Sequence, residues 1–248
     1  MNPVHLIPMR EDNYTFAIQS KLSPKKVLII DPSTEKIVDE IKRRKWTVVG
    51  IFNTHHHYDH VGGNQELASK WECPVYGADL DREQIPALSH SLKDGDKIEI
   101  AGWKIRVLAT PGHTLGALCF IFDEIKAVFV GDTMFAMGCG RLFEGSPQQM
   151  LESLLKIGSL PEDYKIYCGH EYTEQNVRFA LSVESSSFLK KYAEGIKNIR
   201  RAQRPTIPTQ VSDEWQGNPF LRVTLPSKHC TDDAVKNFTL LRERKDVF

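Results

Sequence analysis

The run Thr54-His55-His56-His57-Tyr58-Asp59-His60 constrains this chain more than any other stretch, because it sets His55, His57, Asp59 and His60 in the spacing His-x-His-x-Asp-His. In an extended segment alternate side chains share a face, so His55 and His57 can reach one point. Asp59 and His60 follow once the chain turns. The apolar run Val48-Val49-Gly50-Ile51-Phe52 precedes the cluster and Gly62-Gly63 follows it. This reads as a buried strand delivering polar groups at its carboxyl end, then a turn into a helix from Asn64 to Trp71. A lone histidine is more often half-buried packing than a ligand. This cluster is not alone.

His113 in Thr110-Pro111-Gly112-His113-Thr114 and His170 in Cys168-Gly169-His170-Glu171-Tyr172 each follow a hydrophobic run, and so does Asp132 in Val128-Phe129-Val130-Gly131-Asp132-Thr133. Four strand ends therefore each offer imidazole or carboxylate near a glycine. Neutral imidazole and carboxylate are the donors that zinc prefers, and they also suit iron and manganese. A metal site is the expected outcome. His56 reads as a packing or supporting residue, and His5, His90 and His229 have no ligand context.

A formal net charge of zero gives no global field to recruit nucleic acid or a membrane surface, so anion recognition must be local. Apolar runs such as Ala117 to Phe122 are strand-sized and too short to span a bilayer. No basic-then-apolar leader precedes the Val4 to Ile7 strand, so a cytoplasmic protein is expected. The five cysteines, Cys73, Cys119, Cys139, Cys168 and Cys230, form no CxxC pair and read as reduced thiols. Cys168 is expected to be packing rather than a nucleophile, and Cys139 to shape the turn around it.

Up to about Gly169, β-type runs alternate with helical ones. Strands are expected at 4–8, 15–19, 27–31, 48–53, 97–101, 104–109, 117–122 and 126–130, with helices at 35–45 and 147–158. Ser146 and Pro147 are a strong start for the last of these. After His170 the pattern is helical, at 173–183, 188–204 and 232–245, with 205–208 an irregular connector. The charged face of the 188–204 helix reads as solvated surface.

The motifs already quoted, together with Gly138-Cys139-Gly140-Arg141-Leu142-Phe143-Glu144-Gly145, Gly169-His170-Glu171-Tyr172-Thr173, Asn218-Pro219-Phe220-Leu221-Arg222 and the ending Leu241 to Asp246, resemble the glyoxalase II (hydroxyacylglutathione hydrolase) family of the metallo-β-lactamase superfamily. The histidine motifs resemble the superfamily at large, and the 138–145 segment and the C-terminal portion resemble the thioester hydrolases. The fold implied is α/β (α+β), a metallo-β-lactamase αββα sandwich followed by a small all-helical C-terminal domain. The division implied is a catalytic domain at 1–170 and a helical substrate-binding domain at 171–248.

The resemblance implies two divalent metal ions, zinc first and iron or manganese as alternatives. His55, His57 and His113 would hold one, Asp59, His60 and His170 the other, and Asp132 would bridge them. Asp59 and Asp132 would thus support a bridging hydroxide that attacks a thioester carbonyl, cleaving S-D-lactoylglutathione to D-lactate and glutathione, the second step of methylglyoxal detoxification. A thiol leaves with a pKa near ~8.5, so no general acid is required. Arg141, Phe143, Tyr172, Arg242 and Lys245 occupy the family's glutathione-contacting positions. Phe143 stands where some relatives have tyrosine, which implies a lost hydroxyl contact and weaker affinity. Tyr58 fills the variable position of the histidine motif. The implied partner of a monomeric enzyme is a small-molecule glutathione thioester, without nucleic acid or membrane.

A mononuclear iron persulfide dioxygenase acting on glutathione persulfide is the alternative within the same superfamily, set back by the full second-metal set and the C-terminal helices. A nucleic-acid-processing hydrolase would call for a basic surface, an exported β-lactamase for a leader, and a non-catalytic relative for missing ligands.

Overall fold

The computed structural model describes residues 3–225 and 233–248, so His229 and Cys230 lie outside the described residues. The chain divides into two compact units, the first made of residues 1–109 and 116–131 and the second of 110–115 and 132–248.

In the first unit, β1 (Val4–Met9), β2 (Asn13–Gln19), β3 (Lys26–Ile30), β4 (Thr47–Phe52), β5 (Val75–Ala78) and β6 (His90–Leu92) form a sheet in that order. Its first two pairings are antiparallel and the rest parallel. Parallel strands need crossovers, which α1 (Ile37–Arg43), α2 (Tyr58–Val61) and α3 (Asn64–Trp71) help supply. Val27 and Ile29 of β3 join Val48, Ile51, Ile37, Ile41 and Leu67 in one buried cluster under α1 and α3. Leu28 and Ile30 alternate to the opposite face, and both faces are buried, hence the unbroken apolar runs.

The antiparallel strands β7 (Lys97–Ile100), β8 (Trp103–Ala109), β9 (Leu118–Phe122) and β10 (Ala127–Gly131) follow as a meander. Aromatic rings join the two sheets: Phe16 lies 5.2 Å from Phe129 and Phe52 5.1 Å from Phe120, both edge to face. Such pairs add about 0.5–1.5 kcal/mol beyond the area they bury. The expected pair of sheets with helices outside is present.

Among the described residues the second unit holds a small hairpin of β11 (Met134–Phe135) and β12 (Gly138–Cys139), the antiparallel pair β13 (Lys165–Cys168) and β14 (Thr209–Gln210), and six helices. These are α4 (Pro147–Gly158), α5 (Thr173–Val183), α6 (Ser187–Arg201), α7 (Val211–Gly217), α8 (Pro219–Arg222) and α9 (Ala234–Asp246). Ser146 starts α4 with a reciprocal capping box to Gln149. α5 and α6 pack through Val177, Ala180, Leu189 and Ile196, against which Met137 is also buried. The expected 188–204 helix stops at Arg201, with Ala202 as its cap, and 205–208 is irregular as anticipated.

Phe120 has no exposure and its ring meets Phe52, so truncation leaves a cavity that neither sheet can close. Phe120→Ala should lower the unfolding free energy by about 3–5 kcal/mol, measured by chemical denaturation.

Candidate metal centre

The motif loop follows β4, and its imidazoles are oriented from behind by Asp31, which follows β3 and has 1% exposure. Asp31 Oδ1 accepts the backbone N–H of Thr54 at 2.8 Å, and Oδ2 accepts the Thr54 hydroxyl at 2.6 Å. His60 Nδ1 lies 2.9 Å from the same Oδ2. A carboxylate can only accept here, so His60 carries its proton on Nδ1 and leaves Nε2 as a lone-pair donor. The Thr54 hydroxyl, having given its proton to Asp31, accepts from His55 Nδ1 at 3.1 Å. His55 Nε2 is therefore a lone-pair donor too, and it faces His57 Nδ1 at 3.1 Å.

The remaining first-unit ligand candidate, Asp59, is held by Asn13, whose amide donates to the Asp59 carbonyl at 3.2 Å and to Oδ2 at 3.0 Å. Ser33 Oγ also donates to the Asp59 carbonyl, at 2.8 Å. Asn53 donates to the His60 carbonyl at 3.0 Å and takes a hydrogen bond from Asn64 at 2.8 Å. Gly62 is needed because a Cβ there would come within 2.6 Å of the Ser33 carbonyl. Within this unit the pairs His55 with His57, His55 with His60, and Asp59 with His60 each present ligand atoms within 4.8 Å of one another.

The second unit gathers the other three candidates. His113 Nδ1 sits 2.8 Å from the Arg141 carbonyl, an acceptor only, so its Nε2 also bears the lone pair. That Nε2 is 3.6 Å from Asp132 Oδ2, and His170 Nε2 is 3.3 Å from the same oxygen. His170 stacks on Tyr172 at 4.8 Å with planes 6° apart, and Phe135 meets both rings. Phe143 is 63% exposed and meets the His113 ring edge to face at 5.2 Å.

These donors suit a borderline divalent cation. His55, His60 and His113 each commit Nδ1 to an oxygen and turn Nε2 outward as a lone-pair donor, the arrangement by which proteins fix metal-binding imidazoles. Carboxylates stand beside them. His56 instead turns to Asp81, with Nδ1 3.1 Å from Oδ2. Burial pushes the Cys168 thiol far above its usual range and the Cys139 thiol up to about 11, so neither supplies a thiolate nucleophile. Cys73 and Cys119 are also buried and form no disulfide.

Cations collect in the second unit at the C-terminal helix. Arg242 is only 5% exposed: Nη1 donates to the Cys139 carbonyl at 3.0 Å, while Nε and Nη2 donate to Asp246 at 3.1 and 2.8 Å. Arg141 Nε is 3.7 Å from the same Asp246 oxygen. Lys245 lies over the rings of Phe179 and Phe248, at 5.2 and 5.5 Å, and its buried Nζ has no hydrogen-bond partner. Burial, with Arg242, Arg178 and Arg141 nearby, pulls its pKa down to about 8.

Sequence reading missed Asp31, Asn13, Ser33 and Asp246. Asp31 carried one signal, its place directly after a buried apolar strand, the same context that exposed the histidines.

Comparison with known proteins agrees with both halves of the chain. Residues 11–170 match the metallo-β-lactamase superfamily model, and residues 171–248 match the model of the hydroxyacylglutathione hydrolase C-terminus. A curated hydroxyacylglutathione hydrolase of Brucella anthropi is 43% identical, covering 96% of this chain and 94% of the relative. The chain belongs to the hydroxyacylglutathione hydrolase family. Among solved structures, the BLEG-1 B3 metallo-β-lactamase shares the fold at a TM-score of 0.68 and 22% identity, over 88% of this chain and 99% of that one. TTHA1623, solved in a di-iron-bound form, has a TM-score of 0.59 and 26% identity over 67% of this chain and 92% of that one. Among the described residues no helix of this family member is long and apolar enough to cross a membrane.

Asp31→Ala removes the acceptor that fixes two imidazoles while leaving every ligand candidate in place. It should weaken affinity for divalent metal by about 10–100-fold, read as metal retained against a competing chelator.

Proposed function

We propose that the protein is a dinuclear-metal thioester hydrolase that converts S-D-lactoylglutathione to D-lactate and glutathione. The observation that carries this reading is the set of imidazoles whose Nδ1 protons are committed to Asp31, Thr54 and the Arg141 carbonyl, in a chain that matches the hydrolase C-terminal model. His55, His57 and His113 would hold one metal and Asp59, His60 and His170 the other, with Asp132 available to both. Zinc is the first choice and iron or manganese also suit these ligands.

Two bound divalent cations supply the acidity that turns water into a nucleophile near neutral pH and the positive charge that stabilises a developing oxyanion. Asp31 and Thr54 keep the ligand rings in register, and Asn13 orients the Asp59 carboxylate. The leaving group is a thiolate, which needs no protonation to depart, in keeping with the inert Cys168 and Cys139. Arg141, Arg242 and Lys245 provide positive charge for the carboxylates of glutathione, with Tyr172 and Phe143 as aromatic walls. Arg242 acts by shaping that site, since its guanidinium holds Cys139 and Asp246, whereas Lys245 has an ammonium to offer. Catalysis is assigned to 1–170 and recognition to 171–248, in a monomer. The buried free thiols support a cytoplasmic setting.

Purified metal-replete protein should hydrolyse S-D-lactoylglutathione and release one thiol per ester cleaved; absence of turnover would defeat the assignment. Lys245 attracts a carboxylate only when protonated, and its pKa is lowered to about 8. KM should therefore stay flat below that pH and climb as pH rises through it. Lys245→Ala should raise KM by about 10-fold with kcat within a few-fold and abolish this climb, measured by steady-state kinetics across pH.

A further inference from the structure

The segment from Asn218 to Arg222 stands out in the sequence, yet no step of hydrolysis uses it. Glu214, one helical turn earlier, is a carboxylate with no exposure. Its Oε2 accepts the Met137 backbone N–H at 3.0 Å and the Asn218 amide at 2.8 Å, and its Oε1 accepts the Thr209 hydroxyl at 2.7 Å. Asn218 Oδ1 accepts the Phe220 N–H at 3.0 Å, which fixes the amide so that Nδ2 also donates to the Gly138 carbonyl at 2.9 Å. From α5, Asn176 donates to the Ala136 carbonyl at 3.2 Å. Three side chains from the helices thus hold the turn at 136–138, where Met137 takes a left-handed φ of 58° that a non-glycine residue adopts only under constraint.

This turn is the closed end of the β11–β12 hairpin, and the open end leads into Arg141. Asp132 precedes the hairpin, and Gly140 and Arg141 follow it. A Cβ at Gly140 would lie 2.0 Å from the Asp132 carbonyl and 3.1 Å from His113 Nδ1, so the returning strand has no room to slip. Arg141 then gives its carbonyl to His113 and its side chain to the cationic cluster. Burial pushes the pKa of the acid at 214 up to about 7, and it is held there by the three donors that converge on it.

We propose that Glu214 and Asn218 are positioning residues for the glutathione thioester: by holding the 136–138 turn they set where Arg141 stands. This rests on the hydrolase reading above.

Asn218→Ser keeps an oxygen to cap α8 but cannot donate to Gly138. Glu214→Gln keeps an oxygen for Met137 and Asn218 and turns its amide toward Thr209, whose hydroxyl can accept. For Asn218→Ser, KM for S-D-lactoylglutathione and Kd for an S-alkylglutathione should both rise by about 5–10-fold with kcat within about 3-fold. Glu214→Gln should stay within about 2-fold of wild type in all three. A lowered melting temperature with KM and Kd unchanged in folded Asn218→Ser would overturn the proposal. If Asn218→Ser does not fold, Glu214→Asp, one methylene too short to span Thr209 and the turn, should show the same KM rise, and an unchanged KM there overturns it equally. Wild-type protein that neither hydrolyses the ester nor binds the analogue would remove the hydrolase reading itself and the proposal with it.

Discussion

The carboxylate of Asp31 organises the ligand candidates of the first unit. It takes a backbone N–H and a hydroxyl from Thr54 and an imidazole N–H from His60, and through Thr54 it also orients His55. A carboxylate this deeply buried is costly unless every lone pair is used, and here the donors that satisfy it are the residues that must be immobile. Its backbone takes a left-handed φ of 49°, a conformation aspartate tolerates better than most residues, which turns the chain sharply after β3. The loop it creates, residues 31–34, then receives Gly62 and Gly63 at distances that admit no side chain. Strand, turn and histidine loop are therefore one construction.

In the second unit the corresponding constraint is a backbone carbonyl. Arg141 fixes the His113 tautomer with its main chain while its side chain joins Asp246, so placing Arg141 places both a candidate ligand and a candidate recognition charge. The hairpin that leads into it is gripped by α5, α7 and the start of α8. The helical portion thereby sets the path of the chain next to Asp132.

Much of this was legible in the sequence because the ligand residues advertise themselves. Four of them share one loop, and the others each follow an apolar run. The boundaries of α3 and α4 were equally plain, the latter through Ser146, Pro147 and Gln149, whose capping chemistry is local. What stayed hidden depends on partners distant in sequence. Asp31 meets Thr54, Asn13 meets Asp59 and Glu214 meets Met137, and nothing local marks a single polar residue for such a role. β5 and β6 escaped notice because they are short parallel strands with no hairpin partner nearby. Arg242 and Lys245 looked equivalent as neighbouring helix cations, yet one is committed to Cys139 and Asp246 and the other keeps its ammonium unpaired.

The proposed hydrolysis requires a two-metal centre. Its most direct measurement is a titration of metal-free protein with zinc, following bound metal and S-D-lactoylglutathione hydrolysis together. Activity should rise with occupancy and level off at two equivalents per chain. Full activity at one equivalent, or two equivalents bound without hydrolysis, would contradict it.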